Sequence, residues 1–465
     1  MNLPRLVIAG THSGVGKTTV TLALLAGFRS RGRTVQPFKA GPDFIDPGHH
    51  QLASGRESHN LDSWMLGACW NRSTFQRAAE DADLSIIEGM MGLFDGSSPI
   101  NDIGSSAEIA KQLKAPVLLV VDGSAMARSA AAMVLGYANF DPELTIAGVV
   151  FNRIRSESHY QLLREAVEKE TNVSIVGYLR ADSELTIPDR HLGLPTALEE
   201  EGSAWYAKSI QATMNTLDFP RIEQLAQASP DWEEPVVTKD SQSAEPIETS
   251  LKIAVAHDPA FCFYYPENLF LLSQAGGRVV RFSPMNDAKL PVGVDMLYLG
   301  GGYPEVYASV LEQNAEMRSS IAAFIRQGGV AYAECGGLLY LSRSLQDFEG
   351  KVYDMVGVLP CDAVMSRTRM TLGYRELTLT RTGLLGEKGK RVRGHEFHYS
   401  HLENLGDVDY AGSMTDAQGN DRGGDGMIVN NGVALYTHLH FGSHPQVPSA
   451  LMQASRNQRR RGDMR

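Results

Sequence analysis

The chain has only four cysteines among its 465 residues. That is too few for a disulfide framework, which excludes the small stapled secreted folds and points to a reducing cytoplasm. It has no surplus of positive charge: 43 lysines and arginines face 54 aspartates and glutamates. A polyanionic partner such as nucleic acid is therefore not expected. No apolar run approaches the roughly 20 residues of a membrane-spanning helix. Residues 6–9 are apolar but lead straight into a glycine-rich loop, so neither a membrane anchor nor a signal peptide is expected. No solenoid-type repeat is present, which excludes a stacked array. What remains is a globular chain too long for one ordinary core, and two or three domains are expected.

The first half alternates short apolar runs with segments of helical spacing. Strands are expected at 5–9, 34–38, 84–87, 117–121, 147–151 and 173–179, with helices such as 18–30 and 129–138 between them. That alternation predicts an α/β fold, a parallel sheet covered by helices on both faces. Residues 220–250 change character: Pro220, Pro230, Pro235 and Pro246 stand among Glu, Asp, Ser and Gln. The stretch reads as an interdomain linker. A second α/β pattern then restarts, with strands at 252–256, 278–282, 296–299 and 330–334. Runs at 356–359, 375–380 and 433–436 suggest that antiparallel strands extend this second sheet. The basic end, 449–465, reads as a solvated tail.

Gly10-Thr11-His12-Ser13-Gly14-Val15-Gly16-Lys17-Thr18-Thr19 has the form of a nucleotide-phosphate loop between a strand and a helix. Gly14 and Gly16 let backbone N–H groups approach a phosphate, and the helix start adds its positive end. Lys17 supplies a cation for the outer phosphates, and Thr18 or Thr19 a hydroxyl for Mg²⁺. The common pattern has Gly where this chain has Thr11; Gly10 stands one place earlier, so the loop is one residue longer. A magnesium nucleotide site also needs carboxylates. Asp43 and Asp46 follow the strand 34–38, and Asp46 before Pro47 equally suits a turn. Glu88 ends the run 84–87, at the edge where a parallel sheet presents ligands. Asp95 follows among glycines. Lys39, at its strand end, is placed to orient a carboxylate or a phosphate.

Cys335 stands between the apolar strand 330–334 and Gly336-Gly337. It therefore sits at a sharp strand-to-helix turn, the logic of a nucleophile elbow with Cys in place of Ser. A helix N-terminus lowers a thiol pKa to roughly 3.5–7.5, so a thiolate is expected. Gly336, and Gly301 and Gly302 after the strand 296–299, are the candidate oxyanion donors. His438, which follows the strand 433–436, is the candidate base; His440 projects to the same strand face. Cys69, Cys262 and Cys361 lack such a setting and read as small buried hydrophobes.

Together, residues 10–19, 41–47, 88–96, 187–194, 300–305, 333–337, 393–399 and 436–441 resemble the cobalamin-pathway glutamine amidotransferases that amidate cobyrinic acid. The resemblance runs nearly the full length, outside 220–250 and the basic end. It implies an ATP-binding amide synthase domain at 1–219 and a glutamine amidotransferase domain at 251–448. The first half is also similar to dethiobiotin synthetase, which implies that Asn152 reads adenine. The second half resembles class I glutamine amidotransferases. That implies attack of Cys335 on the glutamine side-chain amide, with His438 protonating the departing ammonia. Those enzymes usually carry Glu two residues after the His, where this chain has His440; Glu396 is the candidate for the third member.

The acceptors implied are the a and c acetate carboxylates of the corrinoid, activated by ATP as acyl phosphates. Lys17, Thr18, Asp43, Glu88 and Mg²⁺ would then neutralise the phosphates, and Lys39, Asp46 and Asp95 would stand by substrate or intermediate. Ammonia made in an enclosed site and passed across the domain interface avoids becoming ammonium. The implied partners are cobyrinic acid, L-glutamine and ATP in the cytoplasm, with room for a homodimer. Hydrogenobyrinic acid and nickel-sirohydrochlorin fit the same motifs. A reading of another class, a regulatory phosphate-loop ATPase with a non-catalytic second domain, differs in having no glutaminase at Cys335.

Overall fold

The computed structural model describes residues 2–181, 215–234 and 250–463; the motif at 187–194 lies outside the described residues. The chain divides into two compact units, Met1–Val236 and Val237–Arg465.

The first unit holds β1 (Arg5–Gly10), β2 (Val35–Ala40), β3 (His59–Leu61), β4 (Leu84–Glu88), β5 (Val117–Asp122), β6 (Ile146–Ile154) and β7 (Ser174–Arg180). They form a parallel sheet in the order β3-β2-β4-β1-β5-β6-β7. Both faces are covered. Leu6 and Ile8 enter one core with Val20, Leu24 and Phe28, while Val7 and Ala9 enter the other with Phe38 and Leu119. This is the α/β architecture the sequence predicts. Each of the six expected strands is found, and each runs past its expected carboxyl end. The polar residues there still pair: Lys39 lies opposite Glu88, and Asp122 opposite Asn152. Apolarity stops before the hydrogen-bond ladder does. Because all strands are parallel, these ends open on one edge, and the strand order reverses around β1, where such sheets bind ligands.

The proposed start of the linker is corrected. The helix Phe219–Gln227 has Pro220 in its first turn and is capped by Asp218, which accepts the Arg221 N–H at 3.0 Å. It buries Phe219, Ile222, Leu225 and Ala226. Phe219 meets Phe28 edge-on with ring centroids 5.1 Å apart; burying such a side chain stabilises by about 1.5–3 kcal/mol. Trp232 packs on Phe75 and donates to Gln76 at 3.0 Å. Four apolar anchors spread at helical spacing among polar neighbours were enough, and Pro220 marks a helix start.

The second unit has a ten-stranded mixed sheet and a four-stranded one. The large sheet begins with a parallel part: β8 (Leu251–Ala256), β9 (Gly277–Phe282), β10 (Met296–Leu299) and β11 (Val330–Glu334). The small sheet comprises β12 (Ser344–Gln346), β13 (Val352–Asp354), β14 (Asp362–Met365) and β17 (Ser400–Glu403). The large sheet continues through β15 (Thr371–Leu379), β16 (Arg391–His398), β18 (Asp409–Asp416), β19 (Asp421–Val429), β20 (Gly432–Leu435) and β21 (His438–Leu439). Its order is β21-β16-β15-β18-β19-β20-β11-β10-β8-β9, antiparallel from β21 to β20. The expected antiparallel extension is therefore present.

Two expectations fail here. Residues 356–359 form no strand. Their N–H groups instead take the carbonyls of Tyr340, Leu341 and Ser342, closing the end of the helix Gly336–Leu341. The basic end is not a free tail: the helix Gln446–Asp463 buries Val447, Leu451, Met452 and Ser455. Arg459, Arg460 and Arg461 do lie outward, Arg459 reaching Asp295 at 3.5 Å, whereas Arg456 is half-buried and donates to the Ala275 carbonyl at 2.7 Å. Of the cysteines, Cys361 is buried and Cys262 half-buried, but Cys69 is exposed in the first turn of the helix Ala68–Ala79, contrary to expectation.

Candidate functional site

In the first unit the loop leaves β1 at Gly10 and enters the helix Lys17–Ser30. Gly16 has φ 99°, and a Cβ there would stand 2.0 Å from the Asn152 side-chain nitrogen. Only glycine fits. That nitrogen donates to the Val15 carbonyl at 2.9 Å, and the Asn152 Oδ1 accepts the Arg153 N–H at 2.8 Å. Asn152 thus holds the loop from β6, with both ends of its amide engaged. Arg153 was not singled out in the sequence, yet it donates to the Gly14 carbonyl at 2.7 Å and to Asp122 at 2.5 Å.

Lys17 is buried and donates to the carbonyls of His12 and Met91. Burial, and secondarily the charge of Lys39, bring its pKa down to about 8 against the pull of Glu88, Asp46 and Asp95. Thr18 donates to Glu88 Oε1 at 2.7 Å; Thr19 follows in the same first turn, half-buried. Lys39 reaches three acids: Glu88 at 2.9 Å, Asp46 by a short hydrogen bond, and Asp43 at 3.9 Å. Burial opposes its charge, but Asp46 and Glu88 outweigh burial and raise its pKa. Burial also disfavours ionised Glu88, yet Lys39, with His50 and Thr18, holds that carboxyl below its usual range. Asp46 is pushed up by burial and by Asp43 and Glu88. Asp43 caps the next turn through the N–H groups of Ile45 and Asp46. Asp95 accepts the Gly92 N–H at 2.9 Å.

The structure therefore gathers Lys17, Thr18, Lys39, Asp43, Asp46 and Glu88 at one sheet edge, with Asp95 near enough to bear on Lys17. Among the described residues no group of three His, Cys, Asp or Glu side chains forms a ready metal cage. The donors nevertheless fit Mg²⁺, which takes one or two carboxylates and a hydroxyl and completes its octahedron with phosphate oxygens and water. Three acids around one buried lysine leave negative charge for a cation to neutralise. His50 was not singled out in sequence. Its Nε2 meets Glu88 Oε2 at 2.7 Å and its Nδ1 meets Ser58 at 3.0 Å, so Glu88 is oriented from behind.

In the second unit Cys335 joins β11 to the helix Gly336–Leu341 with φ 45° and ψ −101°. A positive φ at a non-glycine residue is stored strain of the kind found at nucleophile elbows. Its N–H donates to the Leu435 carbonyl at 2.8 Å. A Cβ on Gly336 would stand 3.0 Å from the Gly302 nitrogen, and one on Gly301 would stand 2.3 Å from His438 Cε1. The turn 300–302 thus touches both the residue after the nucleophile and the base. Gly301 N–H donates to the Phe263 carbonyl at 3.3 Å. Gly301 is therefore a close-packing glycine for His438 with its own N–H engaged, against its expected role as a donor.

The expected thiolate is also corrected. Burial, then the charges of Glu305, Glu396 and Glu334, push the Cys335 thiol up. Burial, with these acids behind it, outweighs the Gly336 N–H at a short helix start. Burial brings His438 down to about 3, helped by His395 and His398. Both groups are therefore neutral in the free protein, and the glycine turn 300–302 is what links their surroundings. His440 has its own partners: its Nδ1 accepts the Gly442 N–H at 3.1 Å and its ring lies 4.6 Å from that of Tyr265.

Sequence comparison decides the family. A model of the CobQ/CobB/MinD/ParA nucleotide binding domain matches residues 6–194, and one of the CobB/CobQ-like glutamine amidotransferase domain matches residues 252–446. Proteins named cobyrinate a,c-diamide synthase are similar over almost the whole chain. That of Syntrophotalea carbinolica is 44% identical over 98% of this chain and 100% of its own. That of Priestia megaterium is 43% identical over 95% of each. That of Dehalococcoides mccartyi is 40% identical over 98% of this chain and 99% of its own. The chain belongs to the cobyrinate a,c-diamide synthase family.

Glu396, the candidate third member beside the histidine, is engaged elsewhere. Glu396 pairs with Arg375 at 2.5 Å and lies 3.7 Å from His398. The acid near His438 is Glu334, with Oε2 4.0 Å from Nδ1. It ends an apolar strand as Glu88 does, a signal recognised for one and passed over for the other.

Proposed function

We propose that this ligase amidates the a and c acetate carboxylates of cobyrinic acid, using ATP and the side-chain nitrogen of glutamine. Support for the acceptor comes from the near full-length similarity to relatives bearing that name. The observation that carries the chemistry is the pairing, in one chain, of a phosphate loop backed by Lys39 and Glu88 with a strained Cys335 beside His438's glycine turn.

In the first unit a carboxylate oxygen attacks the γ-phosphorus of ATP, and ADP leaves. The acyl phosphate so formed has phosphate as its leaving group, where the free carboxylate would have had to expel oxide. Lys17 and the loop amides hold the transferring phosphoryl group, because such transfer needs positioning and charge neutralisation above all. Mg²⁺ held by Thr18, Glu88 and Asp43 would supply further neutralisation. Lys39, buried and charged, faces the acceptor carboxylate together with Asp46 and Asp95, and Asn152 sets the loop and bounds the adenine side.

In the second unit Cys335 gives its proton to His438 and attacks the glutamine amide. The oxyanion falls to the Gly302 and Gly336 amides. His438 then protonates the departing ammonia and activates the water that cleaves the thioester. Ammonia displaces phosphate from the acyl phosphate, giving the amide.

The experiment is to measure ATP hydrolysis with each macrocycle added in turn. Cobyrinic acid is expected to stimulate turnover several-fold over the basal rate. Stimulation by hydrogenobyrinic acid or nickel-sirohydrochlorin with none by cobyrinic acid would reassign the acceptor. No stimulation by any of them, with no glutaminase, would favour a regulatory ATPase.

A further inference from the structure

Between β20 and β21 the chain bends at Tyr436-Thr437 before entering His438-Leu439. Thr437 and Leu439 are fully buried, so their N–H groups need partners. Two carboxylates from elsewhere supply them. Asp425, on β19, accepts the N–H groups of Tyr436 and Thr437 at 3.1 Å each and the Thr437 hydroxyl at 2.9 Å. Glu334, on β11, accepts the Leu439 N–H at 3.0 Å. His438 lies between these anchored amides. Glu334 is itself fixed by the hydroxyls of Tyr298 at 3.0 Å and Tyr332 at 2.5 Å, whose rings meet edge-on.

A buried carboxyl is a costly way to satisfy one amide and two hydroxyls, since it takes an ionisable group out of water. Glu334 also places an oxygen 4.0 Å from His438 Nδ1. That is beyond hydrogen-bond reach, and burial pushes the Glu334 carboxyl up to about 8 against the hydrogen bonds from Tyr332, Tyr298 and Leu439, so Glu334 acts on His438 through the Leu439 backbone and, once ionised, by charge. A base that must become imidazolium when it takes the thiol proton gains from a negative charge on its far nitrogen.

We propose that Glu334 is the positioning residue for His438, doing from the residue before the nucleophile what an acid two places after the histidine does elsewhere. Asp425 completes the brace by fixing the bend that precedes the histidine. The proposal rests on reading Cys335 and His438 as the glutaminase pair.

The test is Glu334→Gln, assayed for glutamine hydrolysis and, separately, for synthesis from added ammonia. Glutamine kcat is expected to fall about 10- to 100-fold, part of what general acid–base catalysis contributes. KM for glutamine and ammonia-dependent synthesis are expected to stay within about twofold. Unchanged kcat overturns the proposal. So does a parallel loss of ammonia-dependent synthesis, or a rise in KM at constant kcat, because either marks a structural role. Tyr298→Phe removes one donor to the carboxylate and is expected to lower kcat several-fold with the same split. It decides the matter if Glu334→Gln fails to fold, and unchanged kcat there is again contrary. Cys335→Ala separates the layers: retained glutaminase in that variant removes the underlying reading, whereas its loss beside a fully active Glu334→Gln removes this proposal alone.

Discussion

Replacing Cys335 with alanine is expected to abolish glutamine hydrolysis while leaving synthesis from added ammonia intact. Cys335 is the nucleophile that forms the acyl-enzyme in this reading, and an oxyanion pair does not compensate for its loss. The fall is expected to be at least about 10³-fold in glutamine-dependent turnover, as for the loss of a nucleophile acting in concert with its base. The fold should tolerate the change. Cys335 holds φ 45° in a backbone fixed by the Leu435 carbonyl, and alanine bears the same Cβ and the same strain. A melting temperature close to that of the parent chain is therefore expected, which separates lost chemistry from lost structure. Ammonia release and ADP formation measured on one preparation decide it. Full glutamine-dependent activity in the variant would remove Cys335 from the reaction.

The opposite split is expected of Lys17→Ala. Amidation should fall about 10²- to 10³-fold whether nitrogen comes from glutamine or from added ammonia, the scale of losing one preorganised donor to developing charge. Glutamine hydrolysis should persist, because the thiol site lies in the other compact unit. Lys17 is buried at the loop and donates to the carbonyls of His12 and Met91. Its removal thus breaks no buried ion pair of the kind that binds Lys39 to Glu88 and Asp46, so the loss reads on chemistry more than on folding. Ammonia-supported turnover unchanged in this variant would contradict the phosphate-loop reading.

Much of the fold was legible because its signals are local. Strands buried on both faces read as unbroken apolar runs, and the glycine pattern of 10–19 announces the loop between β1 and the helix Lys17–Ser30. What escaped depends on tertiary partners. The helix Phe219–Gln227 looked like linker because its apolar positions are few, and only Phe28 across the core shows why Phe219 is there. The helix Gln446–Asp463 looked like tail because arginines dominate its outer face while Val447, Leu451 and Met452 do the packing. In the site, Cys335, His438, Lys17 and Glu88 were recognisable from position along strands. The thiol's raised pKa was not, because its main cause is burial by the tertiary fold, and Glu305 and Glu396 come from separate places in the chain. Glu334 could have been found by the argument that found Glu88, a carboxylate with no reason to close an apolar strand.

The central claim is that ATP activates a corrinoid carboxylate by phosphorylating it. Cobyrinic acid with ¹⁸O in its acetate carboxylates tests this most directly. If an acyl phosphate forms and ammonia expels phosphate from it, one labelled oxygen passes to inorganic phosphate for each amide made. Phosphate carrying no ¹⁸O, with amide formed at the normal rate, would contradict the account.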